Sequence, residues 1–415
     1  VARDADGAEG ETSLDLKVRD TADRSAPVVA LDAALSGGVL SDVVDLAAVV
    51  SDVNLDFWRL ELWKRDGFEP IKVLATGEEA VDGSLFALDT GALVNGFYKL
   101  RLVAGDIGGR VTRDEVDIEV SGSDKTGVFT TSRTDLTVQL GNVAFDLSRH
   151  YNSLTSGDPD FGSWSAGWET AIEIGTQLTG KEAFGIYNPL REGDRLYMTA
   201  PDGTRLGFTF VPAQVSVGPL TFYRAAWQSD AGQDWGLTSG DAVLRKAGGR
   251  FYLSETGQPY NPRDNFIGGA QPFTLTGPDG TDYLLNASGN VKEIRNGGDR
   301  LFVGDSGVTS PVGDVLSLLR DDAGRILRAT AQTGEVVVYS YDDAGQLTGA
   351  RLLQTGEGAR YGYVDSRLTG ASEIGVAADV GTVIVYGEDG SVGTRDIVAA
   401  LGGLTQITAR DVAEP

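Results

Sequence analysis

The stretch Tyr339–Ala350, YSYDDAGQLTGA, decides the fold of this chain, because fainter copies of it recur on both sides. The copies read LLRDDAGRILRA at 318–329 and YGYVDSRLTGA at 361–371, with looser relatives YLLNASGNVKEIR at 283–295 and VIVYGEDGSVGTRDI at 383–397. Ile326, Leu347 and Leu368 hold equivalent positions and lie 21 residues apart. A near-constant interval of this length predicts a repeat architecture in which each copy is one structural unit.

Each copy has the pattern of a β-hairpin. A strand ends in an aromatic residue, an Asp-x-x-Gly turn follows, and a second strand begins with an aliphatic residue. The aspartate bonds the turn's own backbone, and glycine takes the positive φ that closes the turn. Because one hairpin cannot bury its apolar face alone, the copies must stack side by side. We therefore expect Tyr339 or Tyr341, together with Ile326, Leu347 and Leu368, to form one apolar stripe.

The composition limits the classes of function. The chain has 415 residues, of which 41 % are hydrophobic and 56 are glycine, which predicts two or three globular domains with many tight turns. Cysteine is absent, so thiol catalysis, disulfides and thiolate metal sites are excluded. No window reaches the roughly eighteen consecutive apolar residues of a membrane-spanning helix. The net charge of −25 repels nucleic acid and anionic membranes, so neither nucleic-acid binding nor membrane insertion is expected.

Residues 26–121 are predicted to form an immunoglobulin-like β-sandwich, because seven short strands over about a hundred residues are typical of that architecture. The segments at 51–62 and 88–106 resemble the Ig-like or fibronectin-like modules of large bacterial surface proteins. Positions 1–121 carry 24 acidic and 12 basic residues, a denser acidic excess than the rest of the chain has, which indicates a separate module. The seven runs are PVVALDA (27–33), VVDLAAVV (43–50), FWRLELWKR (57–65), PIKVLA (70–75), SLFALD (84–89), FYKLRLVAGD (97–106) and VTRDEVDIEV (111–120).

Residues 1–25 are predicted to be a linker or the last strand of a preceding Ig-like domain. Leu14, Leu16 and Val18 alternate before Pro27, and the chain begins with Val1 instead of methionine, which predicts a processed or excised piece of a longer protein. Only two short segments, at 41–50 and 394–401, have a helix-like pattern. The predicted fold class is therefore all-β.

From about Lys125 onward the sequence resembles the RHS proteins, a group that includes bacterial polymorphic toxins, insecticidal toxin-complex subunits and teneurins. The stretch 333–350, TGEVVVYSYDDAGQLTGA, is similar to their tyrosine-aspartate (YD) repeat. The stretch 147–175, LSRHYNSLTSGDPDFGSWSAGWETAIEIG, resembles the segment that opens bacterial RHS regions, and RLYMTAPDGTRLGFTF at 195–210 fits the same pattern. The resemblance implies a linker at 122–132, a β-rich opening region at 133–280 and a YD-repeat β-ribbon at 281–415.

The resemblance also implies a function. In this family the ribbon spirals into a hollow β-shell that commonly encloses a toxic C-terminal segment or serves as a rigid surface scaffold. Self-cleaving members carry an Asp-Pro-x-Gly-Leu-type motif at the end of the shell, and this sequence has no such motif. Its lone Asp158-Pro159 lies far upstream of the repeats. About four to six recognisable units imply the beginning of a shell and not a closed one.

Candidate catalytic residues are few, and each has a structural alternative. His150 is the only histidine, so a Ser-His-Asp triad would have to include it, but it falls inside the Arg-His-Tyr-Asn-Ser motif and is expected to pack or hydrogen bond structurally. Adjacent carboxylates are more often turn formers than a glycosidase pair. These carboxylates are Asp321-Asp322, Asp342-Asp343 and Asp158/Asp160. We predict no catalytic and no cofactor-binding residue.

Two kinds of ligand remain open. The acidic loops at 4–11 (DADGAEGE) and 156–162 (SGDPDFG) offer oxygen ligands for calcium, although neither matches an EF-hand loop, so the metal ligands stay unknown. Four tryptophans could line a sugar site but are more often packing residues in a large sheet. They are Trp164, Trp168, Trp227 and Trp235.

The sequence thus predicts a non-catalytic structural segment of a large secreted or surface-displayed bacterial RHS protein. Its expected partners are the rest of the same polypeptide or shell, including a toxin or effector segment, and possible further ones are copies of itself or a cell-surface glycan. Two alternatives stay open: an adhesive or filament-forming surface protein with Ig-like modules, and a polysaccharide-acting enzyme.

Overall fold

The computed structural model describes residues 2–3, 9–10, 17–65, 67–155, 160–168, 170, 172–174, 188–264, 272–375, 379–387 and 391–399. Strands dominate this part of the chain, with two single-turn 3₁₀ helices at Ala33–Leu35 and Thr90–Ala92. No helix among the described residues has the length and apolar character needed to cross a membrane. Both segments with a helix-like pattern were wrongly interpreted, since β5 occupies the first and β35 the described part of the second. In β5, Leu46, Ala48 and Val50 are buried at every second position, which is the period of a strand.

The first ten strands are β1 Ala2–Arg3, β2 Glu9–Gly10, β3 Val28–Leu31, β4 Val39–Leu40, β5 Val43–Ser51, β6 Leu55–Lys64, β7 Pro70–Gly77, β8 Val81–Asp89, β9 Gly96–Asp106 and β10 Val111–Val120. The next twelve are β11 Thr130–Leu140, β12 Val143–Asn152, β13 Ser165–Ala166, β14 Glu173–Ile174, β15 Arg195–Thr199, β16 Arg205–Phe210, β17 Ala213–Val217, β18 Leu220–Arg224, β19 Trp227–Ser229, β20 Gly236–Thr238, β21 Val243–Ala247 and β22 Arg250–Leu253.

The remaining thirteen are β23 Phe273–Thr276, β24 Asp282–Leu285, β25 Val291–Asn296, β26 Asp299–Gly304, β27 Gly307–Thr309, β28 Val315–Arg320, β29 Ile326–Ala331, β30 Val336–Tyr341, β31 Leu347–Leu352, β32 Gly358–Val364, β33 Arg367–Ile374, β34 Asp379–Tyr386 and β35 Val392–Ala399. The all-β fold class, a sandwich followed by a hairpin ribbon, is confirmed.

The chain divides into two compact units, and the first contains residues 1–89 and 97–121. Its sheets have the orders β4-β10-β9-β6-β7 and β3-β5-β8. All seven predicted strands are present, with β4 added as a short parallel partner of β10. Each sheet buries one face, as two packed sheets of a sandwich do. In β6, Trp58, Leu60 and Leu62 are buried on one face, and Glu61 and Trp63 are buried on the other.

The second unit contains residues 90–96 and 122–415. Its largest sheet has fourteen strands in the order β20-β23-β24, continuing with each later strand in turn to β35. Every neighbouring pair is antiparallel, so from β23 to β35 the sheet is a succession of hairpins. This sheet starts upstream of the predicted ribbon at 281–415, because β20 pairs with β23 at its edge. Strand β11 begins at Thr130, within the segment 122–132.

Two apolar clusters form the core of this unit. The repeat core joins β11, β12 and the segment 161–168 to the later hairpins, and it contains Ile326, Leu347, Leu368 and Tyr339 as one continuous cluster, with Tyr341 packed against it. The predicted apolar stripe is therefore confirmed. The second core gathers residues from β15, β16 and β19 to β25, among them Leu196, Phe208, Phe251 and Phe273.

The predicted strand at 14–18 lies mostly outside the described residues. Lys17 and Val18 are described, and Val18 is exposed outside any strand.

The repeat core predicts a large difference between two leucines of neighbouring hairpins. Leu347 is fully buried, so Leu347→Ala should lower the free energy of unfolding by about 2–5 kcal/mol through lost transfer energy and a cavity. Leu319 is 58 % exposed, and Leu319→Ala should cost less than about 1 kcal/mol. Urea denaturation of both variants measures the difference, and equal losses would contradict the assignment of Leu347 to the core.

Candidate functional site

The motif Arg149-His150-Tyr151-Asn152-Ser153 covers the end of β12 and the first residue of the following loop. Its side chains make polar contacts on both faces of the strand. Arg149 is fully buried, although arginine rarely is. Its Nε and Nη2 donate to the carboxylate of Asp135 at 2.5 and 2.7 Å, and Nη2 also donates to the Tyr361 hydroxyl at 3.1 Å. The Tyr339 hydroxyl donates to the same carboxylate at 2.9 Å. The buried charge is thus paired and hydrogen bonded.

A β-bulge explains how Asp135 reaches this position. The register of β11 against β12 shifts between Thr134 and Leu136, so Asp135 is the extra residue in the ladder. A bulge re-aims a side chain that strict alternation would point elsewhere. Asp135 and Leu136 consequently both face inward, one toward Arg149 and the other toward the apolar core.

Four aromatic rings surround the guanidinium. The Arg149 Cζ lies 5.0 Å from the ring centre of Trp164, 5.4 Å from Tyr361, 5.7 Å from Tyr339 and 5.9 Å from Phe161. Its Nη1 has no hydrogen-bond acceptor among the described residues. The ring faces therefore provide the attraction that an acceptor would otherwise supply.

Burial and the Asp135 carboxylate change the pKa values of Arg149 and Tyr339. Burial opposes the charge on Arg149, but the Asp135 carboxylate outweighs burial and holds the Arg149 pKa well above its usual value. Burial and the same carboxylate raise the pKa of Tyr339. Arg149 therefore keeps its charge and Tyr339 keeps its proton more firmly than either side chain would in water.

The repeat tyrosines are used to tie hairpins together. Each hydroxyl donates to the backbone carbonyl of an aliphatic residue in the first or second position of a strand in the preceding hairpin. The pairs are Tyr341 to Ile326 at 2.7 Å, Tyr363 to Leu347 at 2.8 Å and Tyr386 to Leu368 at 3.0 Å. The acceptors are the three residues with the 21-residue spacing, whereas the donors lie 22 and 23 residues apart.

The repeat aspartates are used inside the turns. Asp321 Oδ1 accepts from the backbone N–H of Ala323 and Arg325, and Asp342 Oδ1 accepts from that of Gln346. Gly324 and Gly345 have φ of 89° and 82°, as the turn prediction required. In each Asp-Asp pair the first carboxylate therefore serves the turn, while Asp322 and Asp343 are exposed.

The tryptophans do not meet at one surface. Trp164 donates to the Tyr363 hydroxyl at 2.9 Å, and Trp168 packs beside Phe145 and Phe161, so both belong to the repeat core. Trp227 and Trp235 lie in or against the second core, with Trp227 Nε1 donating to Ser239 Oγ at 2.7 Å. Each fills space within a sheet layer.

Outside the core, His150 faces the opposite side of the sheet from Arg149. Ser132 and His150 are directly paired residues of β11 and β12, and Ser132 Oγ lies 2.7 Å from Nδ1. Burial lowers the pKa of His150, an effect that Asp202 and the Pro201 carbonyl partly offset. A serine on Nδ1 as a cross-strand partner differs from a catalytic triad, in which serine approaches Nε2 and the carboxylate holds Nδ1.

The two loops predicted as calcium ligands lie mostly outside the described residues. Side chains at 4–11 and residues 156–159, including Asp158, lie outside the described residues. Asp160 is buried and accepts a hydrogen bond from the Arg320 guanidinium, which makes it part of the hairpin packing.

A cluster that the spacing did not reveal is formed in the first unit by Asp23, Asp52 and Asp106, whose carboxylate oxygens lie within 4.8 Å of one another. Arg110 lies 2.6 Å from Asp106 and 3.4 Å from Asp23. Burial acts against ionisation of Asp106, but hydrogen bonds and charge from Arg110 outweigh it and lower the Asp106 pKa. The guanidinium thus already supplies a positive charge where a cation would bind.

Comparison with known proteins identifies the repeat. Residues 320–357, which contain β29 to β31, match the family model described as RHS Repeat. The chain therefore contains an RHS repeat, and the match spans roughly a tenth of the sequence. No curated protein matches.

Three solved structures illustrate the structural comparisons. The protocadherin gammaB4 extracellular domain has 14 % identity over 92 % of this chain and 68 % of its own, with a TM-score of 0.16. Salmonella alpha-2-macroglobulin reacted with methylamine has 13 % identity over 91 % of this chain and 23 % of its own, with a TM-score of 0.17. The human desmocollin-1 ectodomain has 12 % identity over 98 % and 85 %, with a TM-score of 0.14. TM-scores this low do not indicate a shared fold.

The Arg149 cluster predicts strong coupling between two residues. Arg149→Ala and Asp135→Ala should each lower the free energy of unfolding by about 3–5 kcal/mol, because each leaves the other charge buried without its partner. The double variant should lose much less than the sum of both. Arg133→Ala, which breaks the more exposed pair with Glu373, should cost about 1 kcal/mol or less. Additive losses in a urea-denaturation cycle would contradict the buried pair.

A buried carboxyl in the second core predicts a measurable pH dependence. Burial raises the pKa of Asp194 to about 6, despite the N–H of Arg191 and the charges of Arg191 and Arg250. Between pH 6 and 4 the folded state therefore holds a proton that the unfolded state releases, so this group contributes more to stability as the pH falls. Asp194→Asn removes that contribution. Relative to wild type, its free energy of unfolding should fall by roughly 2–3 kcal/mol between pH 7.5 and 4.

Urea denaturation at pH 7.5, 6, 5 and 4 tests this expectation. Asp343→Asn, in an exposed turn, is the matched control and should differ from wild type by a constant amount. A pH-independent difference for Asp194→Asn would show that Asp194 titrates normally.

Proposed function

We propose that this chain is a non-catalytic structural part of a larger secreted or cell-surface protein, in which the hairpin ribbon forms part of a β-shell. The shell would enclose or display an effector segment of the same polypeptide. The RHS repeat at 320–357 supports this assignment, since the resemblance of that family implies such a shell.

The main support for the proposal is that the polar side chains of the repeat form hydrogen bonds with the backbone of the ribbon. The tyrosine hydroxyls bond carbonyls of neighbouring hairpins, and the first aspartate of each turn bonds turn N–H groups. An active site needs such groups to converge on substrate with adjusted pKa values. In the ribbon they are instead distributed at one per hairpin, which is what a scaffold requires.

A shell also needs a fixed position for the strands at which its ribbon begins, and the Arg149 cluster supplies that position. It joins β11 and β12 to Tyr339 and Tyr361, more than 200 residues later in the chain. A ribbon whose opening strands are fixed against its later hairpins has a set curvature and register at that end. The cluster therefore acts as the anchor from which the ribbon extends.

Limited proteolysis of the complete polypeptide that contains this chain tests the enclosure. Any segment downstream of the ribbon should resist protease in the wild type and become cleavable in Arg149→Ala, because loss of the anchor opens the shell. Arg133→Ala should leave the protection intact. Cleavage of the downstream segment at the rate of the isolated segment would contradict enclosure and favour display.

An adhesive role is the second candidate, and the first unit offers an observation in its favour. Strand β7 is an edge strand of the five-stranded sheet, and Ile71, Val73 and nearby Phe68 are exposed. Apolar side chains beside an unpaired sheet edge are typical of contact surfaces. Sedimentation of wild type and Phe68→Ser distinguishes this role, since self-association that Phe68→Ser abolishes would support it.

A further inference from the structure

A polar cavity lies in the second unit on the side of the β11–β12–β13 sheet that carries His150. Ser132, His150 and Ser165 stand in register across the three strands and form its floor. The turn between β15 and β16, at Ala200–Thr204, forms the wall, closed by the bond from Ala200 N–H to the Thr204 carbonyl. The cavity has a volume of about 490 Å³, within the usual range for small-molecule sites.

Hydroxyl groups dominate the lining. Ser and Thr side chains come from five different segments: Thr130, Ser132, Thr155, Ser165, Thr199 and Thr204. The hydroxyls of Thr130, Ser165 and Thr204 have no hydrogen-bond partner in the part of the chain that the structure describes. Because a hydroxyl both donates and accepts, such a lining matches a ligand whose own groups do the same.

The charges in the cavity exclude several other ligands. The Arg205 guanidinium lies 2.7 Å from the Glu173 carboxylate, so its charge is already balanced. His150 is bonded to Ser132 and, because burial lowers its pKa, is neutral at pH 7. Asp202 contributes a carboxylate whose Oδ1 accepts only from the Thr204 N–H among the described residues. This arrangement disfavours anions, and the polar lining disfavours apolar molecules.

We propose that this cavity binds one neutral sugar residue, with ligand hydroxyls donating to Asp202 and exchanging hydrogen bonds with the Ser and Thr hydroxyls of the lining. A carboxylate that accepts from ligand hydroxyls gives charge-assisted bonds, which are stronger than neutral ones. The assignment does not depend on the proposed shell, because the cavity lies on the opposite side of β12 from the Arg149 anchor.

Ligand-observed saturation-transfer NMR on the whole chain tests this proposal. Glucose, galactose, mannose and N-acetylglucosamine, each at about 10 mM, are the neutral probes, with glucuronate and glucosamine as the charged ones. At least one neutral sugar should bind with a Kd near 1 mM, a typical strength for a site that orders one small ligand. Glucuronate should bind more weakly, because the Asp202 carboxylate repels the carboxylate of that sugar.

Three variants locate the site. Asp202→Ala removes the carboxylate, and Thr130→Trp fills the cavity from its exposed rim without altering the turn. Both should weaken binding at least tenfold. Thr137→Ala lies on the same strand but outside the cavity, where its hydroxyl bonds Asp146, and should bind normally. Melting curves confirm that each variant is folded.

Three results would overturn the proposal. They are the absence of saturation transfer to every neutral sugar, undiminished binding in a folded Thr130→Trp variant, and stronger binding of glucuronate or glucosamine than of any neutral sugar. The last result would reassign the cavity to a charged ligand.

Discussion

The pairing of Arg149 with Asp135 is the constraint on which the second unit depends. A guanidinium without exposed surface is costly to desolvate, so the fold must deliver a carboxylate, two tyrosine hydroxyls and four ring faces to one place. Only one alignment of β11 and β12 against the later hairpins does so. The pair is therefore better understood as a determinant of register than as a source of net stability, since apolar residues would fill the same space without a desolvation cost.

The tyrosine ladder extends that register along the ribbon. The hydroxyls of Tyr341, Tyr363 and Tyr386 reach back 15, 16 and 18 residues to their carbonyl acceptors. The separation varies because the strands and the connections between them differ in length, whereas the contact itself is constant. The contact between tyrosine and carbonyl is thus kept although the number of residues between donor and acceptor changes.

Much of this architecture could be predicted from local pattern. Alternation located the sandwich strands, and the Asp-x-x-Gly turns located the hairpins with their positive-φ glycines. The Arg149 anchor could not be predicted, because Tyr361 is 212 residues away in sequence and the bulge at Asp135 leaves no sequence signal. The same limit applies to Asp23, Asp52 and Asp106, which meet only through the sandwich topology. The two segments with a helix-like pattern were misinterpreted because a short apolar run fits the period of a helix as well as that of a strand.

The two faces of β12 explain why one short motif serves two purposes. Side chains alternate along a strand, so Arg149 and Tyr151 point into the repeat core. There the Tyr151 hydroxyl accepts from the Leu368 N–H at 2.8 Å. His150 and Asn152 point to the other face, where they line the polar cavity. A shift of one residue would place the arginine in the cavity and the histidine among the aromatic rings. The anchor therefore fixes the composition of the cavity as well as the start of the ribbon. Because the two sets of side chains lie on opposite faces of β12, a substitution in the proposed sugar site need not disturb the core.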